Sequence, residues 1–320
     1  MSYGQLSRIG LSFQNSFGAP LANSVYWLPV VSESIALAKP QIIAQGMRGI
    51  HDEGAHYEGA NTAAGDLEIE AEAVPLGVML KAWAGDPVTV TSDSLYTHTF
   101  KPRTSDFDDV SAGNPCTVHK YMGVGSADQF SDMNASTLEI SVANGELLGA
   151  KISMVGGSFS QTAGLAASYD NGKHFSWDAS SVTIAGAAVS ELKDLTLTVD
   201  ESIEASHTLN GSKYPSRCKR SGFRSVNIAG TIMFDNDTEY NAFLNQTERN
   251  LTAHFEGQTA VQSGYNEALT VTVPLGRSTE FSPQVGGAGE IEVSFSSKGV
   301  YSVTSATAIA IELRNGQAAY

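Results

Sequence analysis

Residues 192–245 read LKDLTLTVDESIEASHTLNGSKYPSRCKRSGFRSVNIAGTIMFDNDTEYNAFLN. At the start Leu195, Leu197 and Val199 alternate with Thr196 and Thr198, the period-two pattern of a strand with one buried face. A polar loop follows to Gly222. Val226, Ile228 and Ile232 then lead to Phe234 on one face of a second strand, with Gly230 as a bend or bulge. Tyr240, Phe243 and Leu244 share a face over 237–246, which predicts a short helix. Asn236 and Glu239 have capping-box spacing, with Asn in place of Ser or Thr.

The same order occurs earlier in the chain. Ser32-Glu33-Ser34-Ile35 closes a strand as Asp200-Glu201-Ser202-Ile203 does, and a polar loop runs on to Gly65. Leu67, Ile69, Ala71 and Ala73 alternate with Glu68, Glu70 and Glu72. Leu76, Met79, Leu80 and Trp83 then fall on one face of a helix over 75–84, with Pro75 at its start. Alternating strand pairs close each half, around 136–157 and around 267–314, the first with an Asn144-Gly145 hairpin turn. Residues 156–172 are rich in Gly, Ser and Ala and read as a linker. The expectation is a mainly β, antiparallel protein of two tandem copies, 1–160 and 173–320, joined by 161–172.

The chain has 320 residues, of which 17% are charged and 42% hydrophobic, with a formal net charge of -15. So little charge suits a surface covered by other chains or by Ser, Thr, Asn and Gly. The acidic balance opposes holding DNA or anionic lipid by counterion release, which needs basic clusters. Cys116 and Cys218 are too few for a disulfide scaffold and read as free thiols in a reducing compartment. The N-terminal residues lack the basic-then-apolar pattern of a signal peptide, and no apolar run reaches the ~18 residues of a membrane span.

The two long loops are oppositely charged. Residues 49–80 carry Asp52, Glu53, Glu58, Asp66, Glu68, Glu70 and Glu72 with no Lys or Arg. Residues 212–224 carry Lys213, Arg217, Lys219, Arg220 and Arg224 with no Asp or Glu. Both could be solvated faces, or they could meet across subunit contacts. His51 and His56, separated by five positions with Gly54 between, do not make a zinc helix. Asp235, Asp237 and Glu239 open like a calcium loop, but Tyr240 stands where Gly is required. The glycines at 123–125 and 286–289 read as turns. No nucleophile elbow, Walker loop or dinucleotide fingerprint occurs, so neither an enzyme nor a cofactor or metal is expected.

Residues 192–245 resemble the central block of the tail tube proteins of long-tailed bacteriophages: a strand ending in Val-Asp, a loop with Tyr-Pro-x-Arg, a strand, and an Asp-x-x-x-Tyr-x-Ala-Phe-Leu-like helix. "FGAPLANSVYWLPVVSESIAL" (17–37) and "LYTHTFKP" (95–102) are similar to the family's opening segment and one of its strands. The resemblance implies β-sandwich domains, each with a flanking helix and a long loop reaching an adjacent ring. It also implies a hollow tube of stacked rings in the virion tail, assembled in the host cytoplasm, through which DNA leaves. Six domains surround the bore in this class, so two domains per chain imply a homotrimer; a homohexamer is the alternative. The implied partners are other copies of the chain and the tape measure, tail terminator and tail tip proteins. DNA passes without tight binding, and no membrane is involved.

On this reading Glu68, Glu70 and Glu72 form a strand face turned to the bore or else to the outer wall, while Asn227, Ala229 and Thr231 give a neutral equivalent. Asp52, Glu53 and Glu58 would meet Lys213, Arg217, Lys219 and Arg220 between rings or subunits. The rival readings are a β-sandwich binding module, such as an adhesin, using Tyr26, Trp27, Tyr169 and Trp177, and a hydrolase using His51 or His56.

Overall fold

The computed structural model describes residues 4–49, 51–103, 115–170, 172–281, 283 and 290–320. β1 (Arg8–Phe13), β2 (Tyr26–Leu28), β3 (Val30–Glu33) and β4 (Ala36–Ala38) precede a hairpin of β5 (Gln41–Ile43) and β6 (His56–Glu58). β7 (Thr62–Glu70) leads into α1 (Ala73–Ala84), followed by the hairpin β8 (Val88–Ser92) and β9 (Leu95–Phe100). β10 (Cys116–Tyr121), β11 (Ala127–Ala143), β12 (Gly149–Gly156) and β13 (Ser158–Thr162) complete the first half. The second half opens with β14 (Ser180–Ile184), β15 (Ala187–Ala188), β16 (Leu192–Asp200) and the hairpin β17 (Ile203–Ser206) and β18 (Arg217–Arg220). β19 (Ser225–Met233), α2 (Thr238–Leu244), β20 (Arg249–Gln262), β21 (Tyr265–Phe281), β22 (Glu292–Gly299) and β23 (Ala310–Asn315) follow. The glycine-rich turn expected at 286–289 lies outside the described residues.

Each half is built from two antiparallel sheets that share one long strand. In the first, β3 and β4 pair with β7, then β12, then β11, and the other sheet runs β2–β1–β10–β11–β13. In the second, the orders are β16–β19–β22–β21 and β15–β14–β20–β21–β23. The register recurs with the order. Cys116 faces Met133 as Arg249 faces Gly276, and Val118 faces Phe130 as Leu251 faces Val273. The irregularities recur as well: the register shifts between Ala135 and Thr137 in β11, and between Ser278 and Glu280 in β21. An extra residue at such a point bends a strand and raises its twist, and here it sits where the long strand passes from one sheet to the other.

The structure revises several sequence expectations. The polar loops ending at Gly65 and Gly222 contain the β5–β6 and β17–β18 hairpins, whose registers correspond: Gln41 faces Glu58 as Ile203 faces Arg220. Pairing with the next strand places Ala38 opposite Thr62 and Asp200 opposite Ser225. Ala38 is therefore the counterpart of Asp200, and the Ser32–Ile35 likeness to 200–203 is out of step by six residues. Part of the expected linker is strand: Ser158–Thr162 pairs with β11. The segment after it is held by Arg8, whose guanidinium donates to the Leu165 carbonyl at 3.2 Å.

The halves are hydrogen-bonded to each other. β11 pairs with β16, from Thr137 opposite Asp200 to Ala143 opposite Asp194, so the two β3/β4-to-β11 and β16-to-β21 sheets become one. β9, from a hairpin without a counterpart in the second half, adds to β23. One apolar cluster with members from Ile9 to Leu313 runs beneath both halves, beside two small satellites.

α1 begins two residues earlier than its apolar spacing suggested. Pro75 is tolerated there because N–H groups of a first helical turn have no intrahelical acceptor. Leu76, Met79, Leu80 and Trp83 are all fully buried. The helix ends at Gly85, whose φ of 86° needs no side chain and whose N–H reaches the Lys81 carbonyl. Over Gly77 lies the ring of Tyr320; a Cβ there would come within 2.0 Å of Tyr320 Cζ, so glycine is what lets the chain end dock on the first-half helix. α2 is shorter, Thr238–Leu244, and the expected capping box is open. Asn236 Oδ1 accepts from the Thr238 N–H at 2.9 Å, but Glu239 turns away to Arg249.

Candidate functional site

The joined sheet has one face on the core and one toward solvent, because apolar and polar residues alternate along β7, β12, β16 and β19. On the outer face one row crosses Glu68, Lys151, Glu139, Thr198, Asn227 and Lys298. The next crosses Glu70, Gly149, Ser141, Thr196, Ala229 and Ser296 to Glu280. With Asp66, Asp194 and Asp200 the carboxylates on this face outnumber the cations Lys151, Lys298 and Arg277. Leu67, Ile69, Ile152, Leu197, Val199 and Ile228 of these strands are buried on the opposite, core face.

Some of this charge is fixed by local partners. Lys151 holds Asp66 at 3.1 Å. A hydrogen bond from Ser153, opposed by partial desolvation and helped by Lys151, keeps the Asp66 carboxyl below its ordinary range. Ser32 Oγ donates to Glu68 Oε2 at 2.7 Å. Glu68 and Glu70 are exposed as the alternation requires, but Glu72 leaves the row. It is only 7% exposed, stands just before α1, and lies 3.2 Å from His174 Nε2. Burial pushes its carboxyl above the usual range, against the pull of His174. The chain changes from strand to helix at Glu72, so the alternation that would have turned it outward no longer applies.

The oppositely charged hairpins meet inside the chain. Lys213 pairs with Glu58, the Asn61 N–H donates to the Lys213 carbonyl at 2.7 Å, and His207 Nε2 lies 3.0 Å from the Asn61 carbonyl. Arg220 Nη2 reaches Glu201 Oε2 at 2.5 Å. Lys219 is cross-strand from Glu204, while Arg217 is exposed opposite Ser206. Asp52 and Glu53 are exposed, and Glu53 lies 3.2 Å from His56. Lys213 and Arg220 are therefore already engaged within one chain, which their sequence positions did not reveal.

Sequence reasoning also missed the centre of the joint between the halves. Glu201 is fully buried and accepts from Trp83 Nε1 at 2.9 Å and from Arg224 Nε at 2.8 Å, besides Arg220. Arg224 continues to the Arg103 carbonyl, and the buried Arg103 donates to the Ala82 carbonyl at 2.6 Å. Desolvation lowers the Arg103 guanidinium to about 10, and it drives the buried Cys116 thiol up to about 12. An anion enclosed by α1 and two arginines locks the second half to the first.

Two strand edges of the joined sheet carry no partner strand among the described residues: the outer edge of β3 and β4, and that of β21 over 277–281. The hairpin tips are unpaired too. Met47 and Leu209 are 101% and 109% exposed, and each is followed two residues later by a glycine with positive φ, Gly49 at 71° and Gly211 at 78°. Among the described residues no group of His, Cys, Asp and Glu is arranged to hold a metal ion, and no helix is long and apolar enough to cross a membrane.

No curated protein sequence matches the chain. The family model for phage tail tube proteins, in contrast, matches residues 4–299, nearly its whole length. The chain belongs to the phage tail tube protein family, and is a structural component of a phage tail.

Proposed function

We propose that the chain is two fused copies of one tail-tube β-sandwich, about 1–160 and 173–320, and that three protomers close into a ring of six such copies. Rings stack into the tube, and the polar face of the joined sheet lines its bore. The tube meets other tail proteins at its ends, and DNA slides past a surface whose carboxylates repel phosphate. Glu68 and Glu70 belong to that surface.

The joint inside the chain carries this reading. β11 and β21 are register-equivalent, as are β4 and β16, yet only β11 has found its neighbour. Pairing the β21 edge with the β4 edge of another copy repeats the internal joint and leaves the joined sheet without an open edge in the ring, which removes an aggregation hazard. Repeating the register sets Glu280 opposite Ala38, as Thr137 stands opposite Asp200. The exposure pattern supports the same arrangement: Ile203 and Cys218 are buried in the second half, whereas their counterparts Gln41 and His56 are exposed in the first.

Cysteines test the register directly. Ala38→Cys with Glu280→Cys, oxidised mildly, is expected to give a ladder of disulfide-linked chains ending at the trimer. Thr137→Cys with Asp200→Cys gives an intrachain control, and both native cysteines are buried and form no disulfide with each other. A ladder ending at six chains would overturn the trimer. Failure to cross-link at conditions where tubes form would overturn the register.

A further inference from the structure

The filled joint inside the chain indicates what the unfilled one needs. Register carries Val199 onto Leu37, Ile203 onto Gln41 and Arg220 onto Glu58. Glu201 therefore falls on Lys39. Where the second half has a buried carboxylate faced by Arg220, the first has an ammonium beside the Glu58 carboxylate. The polarity is reversed, and so is the exposure. Lys39 is exposed and forms no ion pair within 4 Å among the described residues, whereas Glu201 is fully buried.

The other side of the joint changes with it. Across from Glu201 stands Trp83, the eleventh residue of α1 counted from Ala73. On the open side Glu248 stands four residues past the end of α2, immediately before β20. It is exposed and lies 3.0 Å from Arg277, which begins the unpaired edge of β21.

We propose that Lys39 of one copy closes against Glu248 of the next, an ion pair opposite in polarity to the Glu201 centre, and that this pair fixes which half may follow which. The inference rests on the ring reading above. Its occupant is a second copy of this chain, because the chain's own first half already fills the equivalent place beside the second. A second half offered to Glu248 in place of a first half would bring Glu201, carboxylate against carboxylate. That repulsion excludes the wrong order while the Lys39 attraction selects the right one.

Charge reversal and its compensation provide the test. Lys39→Glu and Glu248→Lys, made singly and together in the full chain, are compared with wild type by sedimentation and negative-stain microscopy. Both sites are exposed, so each protomer should melt as wild type does. Each single reversal is expected to raise the concentration needed for rings by roughly tenfold, and the double variant to return near wild type. Single variants that assemble normally, or a double variant no better than either, would overturn the pairing. Wild-type protein that forms no rings at any concentration would instead overturn the ring reading itself.

Discussion

α1 and α2 follow register-equivalent strands, yet one is enclosed and the other is not. Leu76, Met79, Leu80 and Trp83 of α1 are wholly buried, whereas no residue of α2 is buried and Leu244 is 57% exposed. Intrinsic helix preference does not separate them, since Thr-Glu-Tyr-Asn-Ala-Phe-Leu has neither glycine nor proline. The difference is the neighbour. α1 is capped by the second half through Glu201, and among the described residues no such buried carboxylate reaches α2. Two helices in equivalent places of the two halves thus differ in what covers them within one chain.

The strongest way to break the comparison is to empty the filled joint. Glu201→Ala leaves the half-buried Arg220 and Arg224 guanidinium groups without their shared carboxylate, and Trp83 Nε1 without an acceptor. Removing one partner of a buried charge cluster costs about 3–5 kcal/mol. Urea unfolding should show that loss. A variant as stable as wild type would mean that strand pairing alone, and not Glu201, holds the halves together.

Much of this was legible in the residues. Alternation and helical spacing located β7, α1, β16, β19 and α2, because each has a single apolar face. The order strand, loop, strand, helix was legible for the same reason, whereas the hairpins inside the loops were not. The correspondence of 32–35 with 200–203 was misread, since two Glu-Ser-Ile sequences look alike while register is set by partner strands far away in the chain. Glu201 was invisible as a functional centre for a related reason: its partners are Trp83, Arg220 and Arg224, and no local spacing brings these together. The acidic and basic hairpins were visible as charge runs, but their meeting at Glu58 and Lys213 depends on how the halves join.

A smaller perturbation addresses the hairpin tips, where the halves agree. Met47 and Leu209 expose an aliphatic side chain at register-equivalent positions, each before a glycine with positive φ. An arm that keeps an apolar residue in water twice, through divergence of its charges, is suited to inserting it into an adjacent ring. Met47→Ser with Leu209→Ser should leave melting of the protomer unchanged while shortening tubes in the microscope to isolated rings. Tubes of normal length would remove the tips from the stacking contact.

A further test concerns Glu267, buried in β21 with Oε2 unpartnered. Burial, aided by the Asp170 and Glu72 charges, raises its carboxyl above the ordinary range. The folded state then holds this proton more tightly than the unfolded chain, so its contribution favours folding at low pH and is lost as pH rises through the raised value. Glu267→Gln should stabilise the protomer by roughly 1 kcal/mol at pH 8, with the gain vanishing near pH 4. Thermal melts across that interval give the sign. An equal effect at both ends would mean that the cost comes from shape and not from charge.

The smallest expected effect sharpens the opening comparison most. Phe243 packs only partly beneath α2, beside the small cluster of Ile232, Phe281 and Val293. In the isolated protomer Phe243→Ala should cost about 1 kcal/mol, well below the 3–5 kcal/mol typical of a fully buried aromatic such as Trp83. If α2 is the face that a second copy covers, the same substitution costs more once rings form, because the helix then loses contacts on both sides. Comparing its effect on protomer melting with its effect on the concentration at which rings appear separates the two situations. Equal effects would mean that α2 stays solvent-exposed in the tube, and that its exposure reflects the fold of the second half and not a missing neighbour.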